Sequence, residues 1–188
     1  MKFLASSIEI GGQSFTFDST LAYENLVSSA VWMEAFVVIL SYFCGFVMIF
    51  RGFALYKSFG QNINQNTRPG EVAGPIVYII IGVFMFYFPD LFKIVMYTVF
   101  GTTTPTQLNY DGSDVNWQHI YILIDRYCKL VGVISFFRGL LLVSKSGEPG
   151  VQPGTITRGT IHIIAGVMLY NIGATVEILE YTFGLTLT

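Results

Sequence analysis

Long apolar stretches without charged side chains alternate with short polar segments along this chain. Three of these stretches, residues 35–50, 72–89 and 159–176, contain no Asp, Glu, Lys or Arg. A helix of about 18 residues covers about 27 Å, close to the roughly 30 Å hydrocarbon core of a bilayer. Lone strands would leave backbone polar groups unpaired in lipid, so the pattern predicts transmembrane helices.

A fourth apolar stretch is interrupted by charge. Its charged side chains are Asp125, Arg126, Lys129 and Arg138. We expect structural pairs, such as Asp125 or Glu177 with Arg126 or Lys129, rather than a proton path. With this stretch included, the sequence predicts four membrane-spanning helices, over about 33–55, 72–99, 120–143 and 159–181.

The composition agrees with a membrane protein. The chain has 188 residues, of which 53% are hydrophobic, 16% aromatic and only 12% charged, and its mean hydropathy is +0.59. An average soluble domain carries about 25% charged residues. A soluble domain of this length could not cover so much apolar surface, which argues against a soluble globular enzyme. The low charge also argues against a disordered chain, and the net charge of −2 does not favour nucleic-acid binding.

Two segments repeat the same polar anchors. Residues 45–60 are GFVMIFRGFALYKSFG, and residues 132–147 are GVISFFRGLLLVSKSG. After a three-residue shortening, the match resumes at Pro-Gly pairs and then at IIIGV and IIAGV, which begin at Ile79 and Ile163. The repeat predicts a tandem duplication of a two-helix hairpin. Because each hairpin has an even number of spans, the two repeats are parallel.

The predicted fold class is an all-α integral membrane protein with four transmembrane helices in two tandem hairpins. Pro89 predicts a kink in the second span, after which residues 91–100 either continue tilted or lie along the outer membrane surface. The first expected division is an outward-facing N-terminal segment, 1–31, with an amphipathic helix from Asp18 onward. It is followed by a first hairpin, 32–100, with a basic loop, 56–71; a Thr-rich outward loop, 101–119; and a second hairpin, 120–188, with a basic loop, 144–158.

Basic residues concentrate around the two hairpin loops. Six of the ten lie there, against only two of the twelve acidic residues. The positive-inside rule therefore predicts cytoplasmic hairpin loops, and N- and C-termini in the periplasm if the membrane is a bacterial inner membrane. These basic residues either reach phospholipid phosphates or bind a partner. They are Arg51, Lys57, Arg68, Arg138, Lys145 and Arg158.

Glycines recur two helical turns apart in the first helix of each hairpin, and another lies in each second helix. Small residues let helix backbones approach closely in lipid, where apolar attraction between helices is weak. We expect close packing within each hairpin at Gly45, Gly52, Gly82, Gly132, Gly139 and Gly166.

Motifs that would indicate catalysis are missing from the sequence. There is no nucleophile elbow, no HExxH and no P-loop, and Cys44 and Cys128 lack metal-ligand spacing. We therefore expect no enzymatic activity, no metal and no cofactor.

The repeat unit resembles a known family. A helical hairpin with a basic, Gly-containing loop is similar to the conjugative major pilins of type IV secretion systems. The tandem form resembles the small polytopic inner-membrane proteins of type IVB (Dot/Icm-like) secretion and conjugation systems, the IcmC/DotE-like group. The matching positions are Arg51, Gly52, Gly60, Pro69, Gly70, Arg138, Gly139, Gly147, Pro153 and Gly154.

This resemblance implies a non-enzymatic structural subunit of a bacterial inner-membrane secretion or conjugation apparatus. Its expected partners are copies of itself, other secretion-system membrane proteins, and phospholipid. The alternative is a small membrane transporter or channel, whose path would lie between the two repeats.

Overall fold

The computed structural model describes residues 6–10, 13–17, 19–62, 73–108, 115–146 and 151–184. In these ranges the regular secondary structure is helical apart from one short antiparallel β hairpin. The elements are β1 (Ser6–Ile10), β2 (Gln13–Phe17), α1 (Ser19–Asn62), α2 (Ala73–Phe86), α3 (Phe88–Phe100), α4 (Val115–Lys145), α5 (Thr155–Tyr170) and α6 (Ile172–Phe183). The predicted helical class is confirmed at this level.

The N-terminal segment differs from the prediction. β1 pairs with β2, with Ser6 opposite Phe17, in a stretch for which no element was predicted. α1 begins at Ser19, next to the predicted helix start at Asp18, but it continues into the first span instead of ending near residue 31. Apolar and polar residues alternate in both strands, and Gly11-Gly12 separates them in the sequence, which is a hairpin signal. No glycine or proline interrupts the helix before Gly45, so α1 has no break at residue 31.

Among the described residues, two helices are long and apolar enough to cross a membrane. They run over Leu21–Ser58, which contains an 18-residue window with a mean hydropathy of 2.2, and over Trp117–Lys145, where the corresponding value is 1.6. The number rises to four if each of two bent helix pairs is counted as one span. The pairs are α2 with α3, bent by 89°, and α5 with α6, bent by 96°.

The first helix of each bent pair ends inside a predicted span: α2 inside 72–99, where a kink was expected, and α5 inside 159–181, where none was. Each ends early, because the backbone leaves helical geometry at Tyr87 (φ −97°, ψ 26°) and Asn171 (φ −108°, ψ 60°). Pro89 lies in the first turn of α3, where its missing N–H is tolerated. The kink expected near Pro89 is therefore present. The bend at Asn171 was not expected, since no proline lies near it.

The helices pack as two hairpins around α4. Extensive contacts join α1 to α2 and α4 to α5, and both α1 and α2 also pack on α4. Helix α3 crosses the second hairpin. The Phe88 ring centroid lies 5.5 Å from that of Phe136, and the Phe92 centroid lies 4.7 Å from that of Tyr170. One apolar core therefore joins both hairpins, and it contains Val37, Ile81, Met85, Phe88, Phe92, Met96, Val133, Phe136, Phe137, Leu140 and Val167.

Candidate functional site

Backbone meets backbone where α1 crosses α2. A Cβ atom added to Gly45 would lie 2.7 Å from the carbonyl oxygen of Gly82, and one added to Gly82 would lie 3.0 Å from that of Gly45. Two turns further along α1, a Cβ on Gly52 would lie 3.1 Å from the carbonyl oxygen of Pro75 and 2.6 Å from Cγ1 of Ile79. Real Cβ contacts do not fall below 3.0 Å, so these positions have no room for a side chain.

The second hairpin has equivalent contacts. A Cβ on Gly132 would lie 2.6 Å from the carbonyl oxygen of Gly166, and the reverse distance is also 2.6 Å. A Cβ on Gly139 would lie 2.8 Å from the carbonyl oxygen of Gly159. The structure thus places all six glycines singled out from the sequence at contacts between helices. Gly159 was missed, although its place is that of Pro75 in the first repeat.

Two of the basic residues line one groove between the hairpins. Arg51 comes from α1 and Lys145 from the end of α4, and the groove has a volume of about 190 Å³. The guanidinium carbon of Arg51 lies 5.3 Å from the Tyr78 ring centroid, within range of a cation–π contact. The remaining wall is largely apolar and contains Phe43, Cys44, Val47, Met48, Leu141 and the buried hydroxyl of Ser144.

The other predicted basic residues lie elsewhere. Lys57, Arg138 and Arg158 are exposed and do not line this groove, and Arg68 lies outside the described residues. Among the predicted basic residues that the structure describes, Arg51 and Lys145 are therefore the pair that brings two cations from different hairpins to one apolar wall. A groove of this kind has the chemistry to hold a phosphate group above an acyl chain.

A buried ion pair lies near the opposite end of α4. Lys129 Nζ is 2.6 Å from Asp125 Oδ2, and both side chains are at least 94% buried. This is one of the structural pairs expected from the sequence. The second carboxylate oxygen, Asp125 Oδ1, has no hydrogen-bond partner among the described residues. Asp125 also lines a mostly polar cavity of about 330 Å³ with Gln107, Leu108, Gln118, Tyr121, Ile122 and Arg126.

Asn171 fixes the bend between α5 and α6. Its side chain is fully buried, and Oδ1 accepts a hydrogen bond of 2.8 Å from the backbone N–H of Thr106. The Thr175 hydroxyl donates to the backbone carbonyl of Asn171 at 2.9 Å and to that of Met168 at 2.7 Å. Together these bonds hold the segment between the hairpins against the bend. Sequence reasoning did not identify this role, because a lone Asn in an apolar stretch has no local signature.

Within the described ranges, no group of three or more His, Cys, Asp or Glu side chains is arranged to hold a metal ion. Comparisons with protein-family models, with curated proteins and with solved structures give no match to the chain.

Proposed function

We propose that this chain is a non-enzymatic structural subunit of a multi-protein assembly in a bacterial inner membrane, of the type IVB secretion or conjugation class. The observation that carries the proposal is the glycine packing. Backbone contacts hold the first hairpin at Gly45 and Gly82 and the second hairpin at Gly132 and Gly166. The two hairpins share one apolar core. Such a rigid, apolar body suits lateral packing in a membrane, and the resemblance of its repeat unit to conjugative pilins gives the class of assembly.

A tandem duplication with four crossings is part of the proposal. The backbone breaks at Tyr87 and Asn171, and each lies five residues after a matched glycine, Gly82 or Gly166. Near-right-angle bends at equivalent positions support a common ancestry for the hairpins. The four crossings are α1, α4 and the two bent pairs, α2 with α3 and α5 with α6, each counted as one broken span. The charge distribution then places both hairpin loops in the cytoplasm and the termini in the periplasm.

The groove between Arg51 and Lys145 supports a binding role for phospholipid. Arg51 offers paired donors to a phosphate, and the groove wall formed by Phe43 and Val47 suits an acyl chain. A basic residue near an anionic membrane surface contributes about 1 kcal/mol of attraction. We expect R51Q/K145Q to retain less co-purified anionic lipid than the native chain, and K57Q, an exposed cation outside the groove, to retain as much.

The alternative is a small transporter or channel. The polar cavity beside Asp125 favours it, because a conduction path needs polar groups at membrane depth. However, the region between the hairpins is filled by Phe88, Phe92 and Phe136, where the alternative requires a polar route. Selective, saturable uptake into liposomes that contain the purified chain would favour the transporter.

The proposal is tested by deletion and by affinity purification in mild detergent from a bacterium that carries such a secretion system. We expect loss of secretion on deletion, and a stable complex with other membrane components of the system. Recovery of the monomer alone, with secretion intact after deletion, would overturn the assignment. Labelling of cysteines introduced at 61–67 and 106–116 tests the sidedness separately, with the first region cytoplasmic and the second periplasmic.

A further inference from the structure

The two hairpins meet through different faces. The face that α4 turns toward the first hairpin forms a stripe whose members are between 3% and 9% exposed. We call it the acceptor stripe of the second hairpin, and it consists of Leu130, Val133, Phe137 and Leu140.

The repeat gives this stripe a counterpart on the first hairpin. The register that aligns Gly45 with Gly132 pairs each member of the acceptor stripe with a phenylalanine of α1. These four side chains are between 54% and 65% exposed. The acceptor stripe of the first hairpin is therefore uncovered, and it consists of Phe43, Phe46, Phe50 and Phe53.

The face that the first hairpin contributes to the contact is buried, and here it is the counterpart on the second hairpin that is more exposed. We call it the donor face of the first hairpin: Val37, Ile81, Met85 and Phe88, all less than 9% exposed. Its counterparts on the second hairpin are all half-buried or exposed, and they form the donor face of the second hairpin: Ile124, Ala165, Leu169 and Ile172.

A contact between non-equivalent faces of equivalent units is heterologous, so it leaves one acceptor and one donor free at the two ends. Such contacts repeat until they close into a ring or extend as an open chain. We propose that the free donor face of one copy docks on the acceptor stripe, Phe43 to Phe53, of a second copy. This inference rests on the self-assembly in the proposed function, and it defines the surfaces involved.

Side-chain size supports the pairing of the two free faces. Inside the chain, large donors such as Met85 and Phe88 meet an acceptor stripe with three aliphatic members. At the free faces the sizes are exchanged. The donor counterparts of Ile81 and Phe88 are the smaller Ala165 and Ile172, while every acceptor position is Phe. In a closely packed interface, the side chains of the two faces together fill the space between them. An exchange of large and small residues between the faces preserves their summed volume.

Disulfide cross-linking in native membranes tests the contact. Phe88 and Phe137 meet inside the chain with ring centroids 6.2 Å apart, and their counterparts at the free faces are Ile172 and Phe50. In a C44A/C128A background, F50C/I172C oxidised with copper phenanthroline should form a ladder of dimers, trimers and larger species. F50C alone should form none, since two acceptor stripes do not meet. F50C/I94C, with an exposed residue of α3, measures random collision.

The internal pair F88C/F137C should give a cross-linked monomer and shows that oxidation reaches the membrane. If the internal pair cross-links but F50C/I172C gives no ladder, the inference is overturned. The proposed function would still be decided by the secretion and complex-formation experiments. Dimers from F50C alone would also overturn it, because they indicate a two-fold contact. As a test without cysteine, F46A/F50A/F53A should lower the oligomer fraction in sedimentation at least tenfold without changing the thermal stability of the monomer. An unchanged oligomer fraction would show that the stripe faces lipid only.

Discussion

Substitution of Gly166 by alanine tests the backbone contact in the second hairpin most directly. The added methyl group would lie 2.6 Å from the carbonyl oxygen of Gly132 and 2.7 Å from the backbone nitrogen of Phe136. Neither atom is the flexible end of a side chain, so relief requires α4 and α5 to separate. We therefore expect G166A to weaken the packing of the whole hairpin.

The expected size of the effect follows from two opposing contributions. Inserting a methyl group into a packed contact costs about 1–3 kcal/mol. Alanine is a better helix former than glycine by about 1 kcal/mol in water, but helices in lipid form before they associate, so this gain largely cancels between the associated and separated states. A net loss of about 2 kcal/mol in the free energy of unfolding is expected.

Equilibrium unfolding in mixed micelles of dodecyl maltoside and SDS measures this loss, with helix separation followed by a fluorophore pair on α4 and α5. A54V is the matched control, because it adds methyl groups at an exposed position of α1. We expect its stability to equal that of the native chain within error.

A double-mutant cycle distinguishes the contact from a general effect on the helices. Because Gly132 and Gly166 touch each other, either alanine alone separates the helices, and the second adds little. The loss in G132A/G166A should therefore be smaller than the sum of the two single losses. Strict additivity, or a G166A protein as stable as A54V, would refute the reasoning.

Three further predictions concern the buried groups around α4, each measured by the same unfolding assay. D125N should lose about 3–5 kcal/mol because it leaves the Lys129 ammonium buried without its partner, whereas the same change at the exposed Asp90 should have no measurable effect. N171A should lose about 1–3 kcal/mol, since it removes the side-chain oxygen that accepts the hydrogen bond of the Thr106 N–H, and protease cleavage after residue 101 should become faster. F88A should lose about 3 kcal/mol and release α3 from the second hairpin, which spin labels on the two elements would detect as a longer distance.

Much of the fold could be predicted from the sequence because membrane helices follow simple rules. Apolar stretches of sufficient length predicted the helices, and α1 and the charge-interrupted α4 are long enough to cross. The spacing of Gly45 and Gly52 predicted one packing face, and the structure places both at contacts with α2. In these cases a short sequence pattern is tied to one physical requirement, either hydrocarbon thickness or close helix approach.

Other features depend on contacts distant in sequence, and the sequence alone did not identify them. The bend at Asn171 has no proline, and its hydrogen bond to Thr106 joins residues far apart in the chain. The convergence of Arg51 and Lys145 depends on how the hairpins pack, which periodicity does not determine. The β hairpin is a different case. Its alternating pattern and its Gly11-Gly12 pair were visible in the sequence, but no strands were predicted from them.

The bends connect the fold to assembly. Without a break at Tyr87, α3 would continue along α2 and could not bring Phe92 across to Phe136, so the hairpins would lose much of their common core. The same right-angle bend at Asn171 carries α6 away from its own hairpin, and Tyr181 near its end is 92% exposed. A bent element like the one that joins the two hairpins is thus repeated after the second hairpin, where its exposed apolar side chains offer a neighbouring copy the same kind of contact.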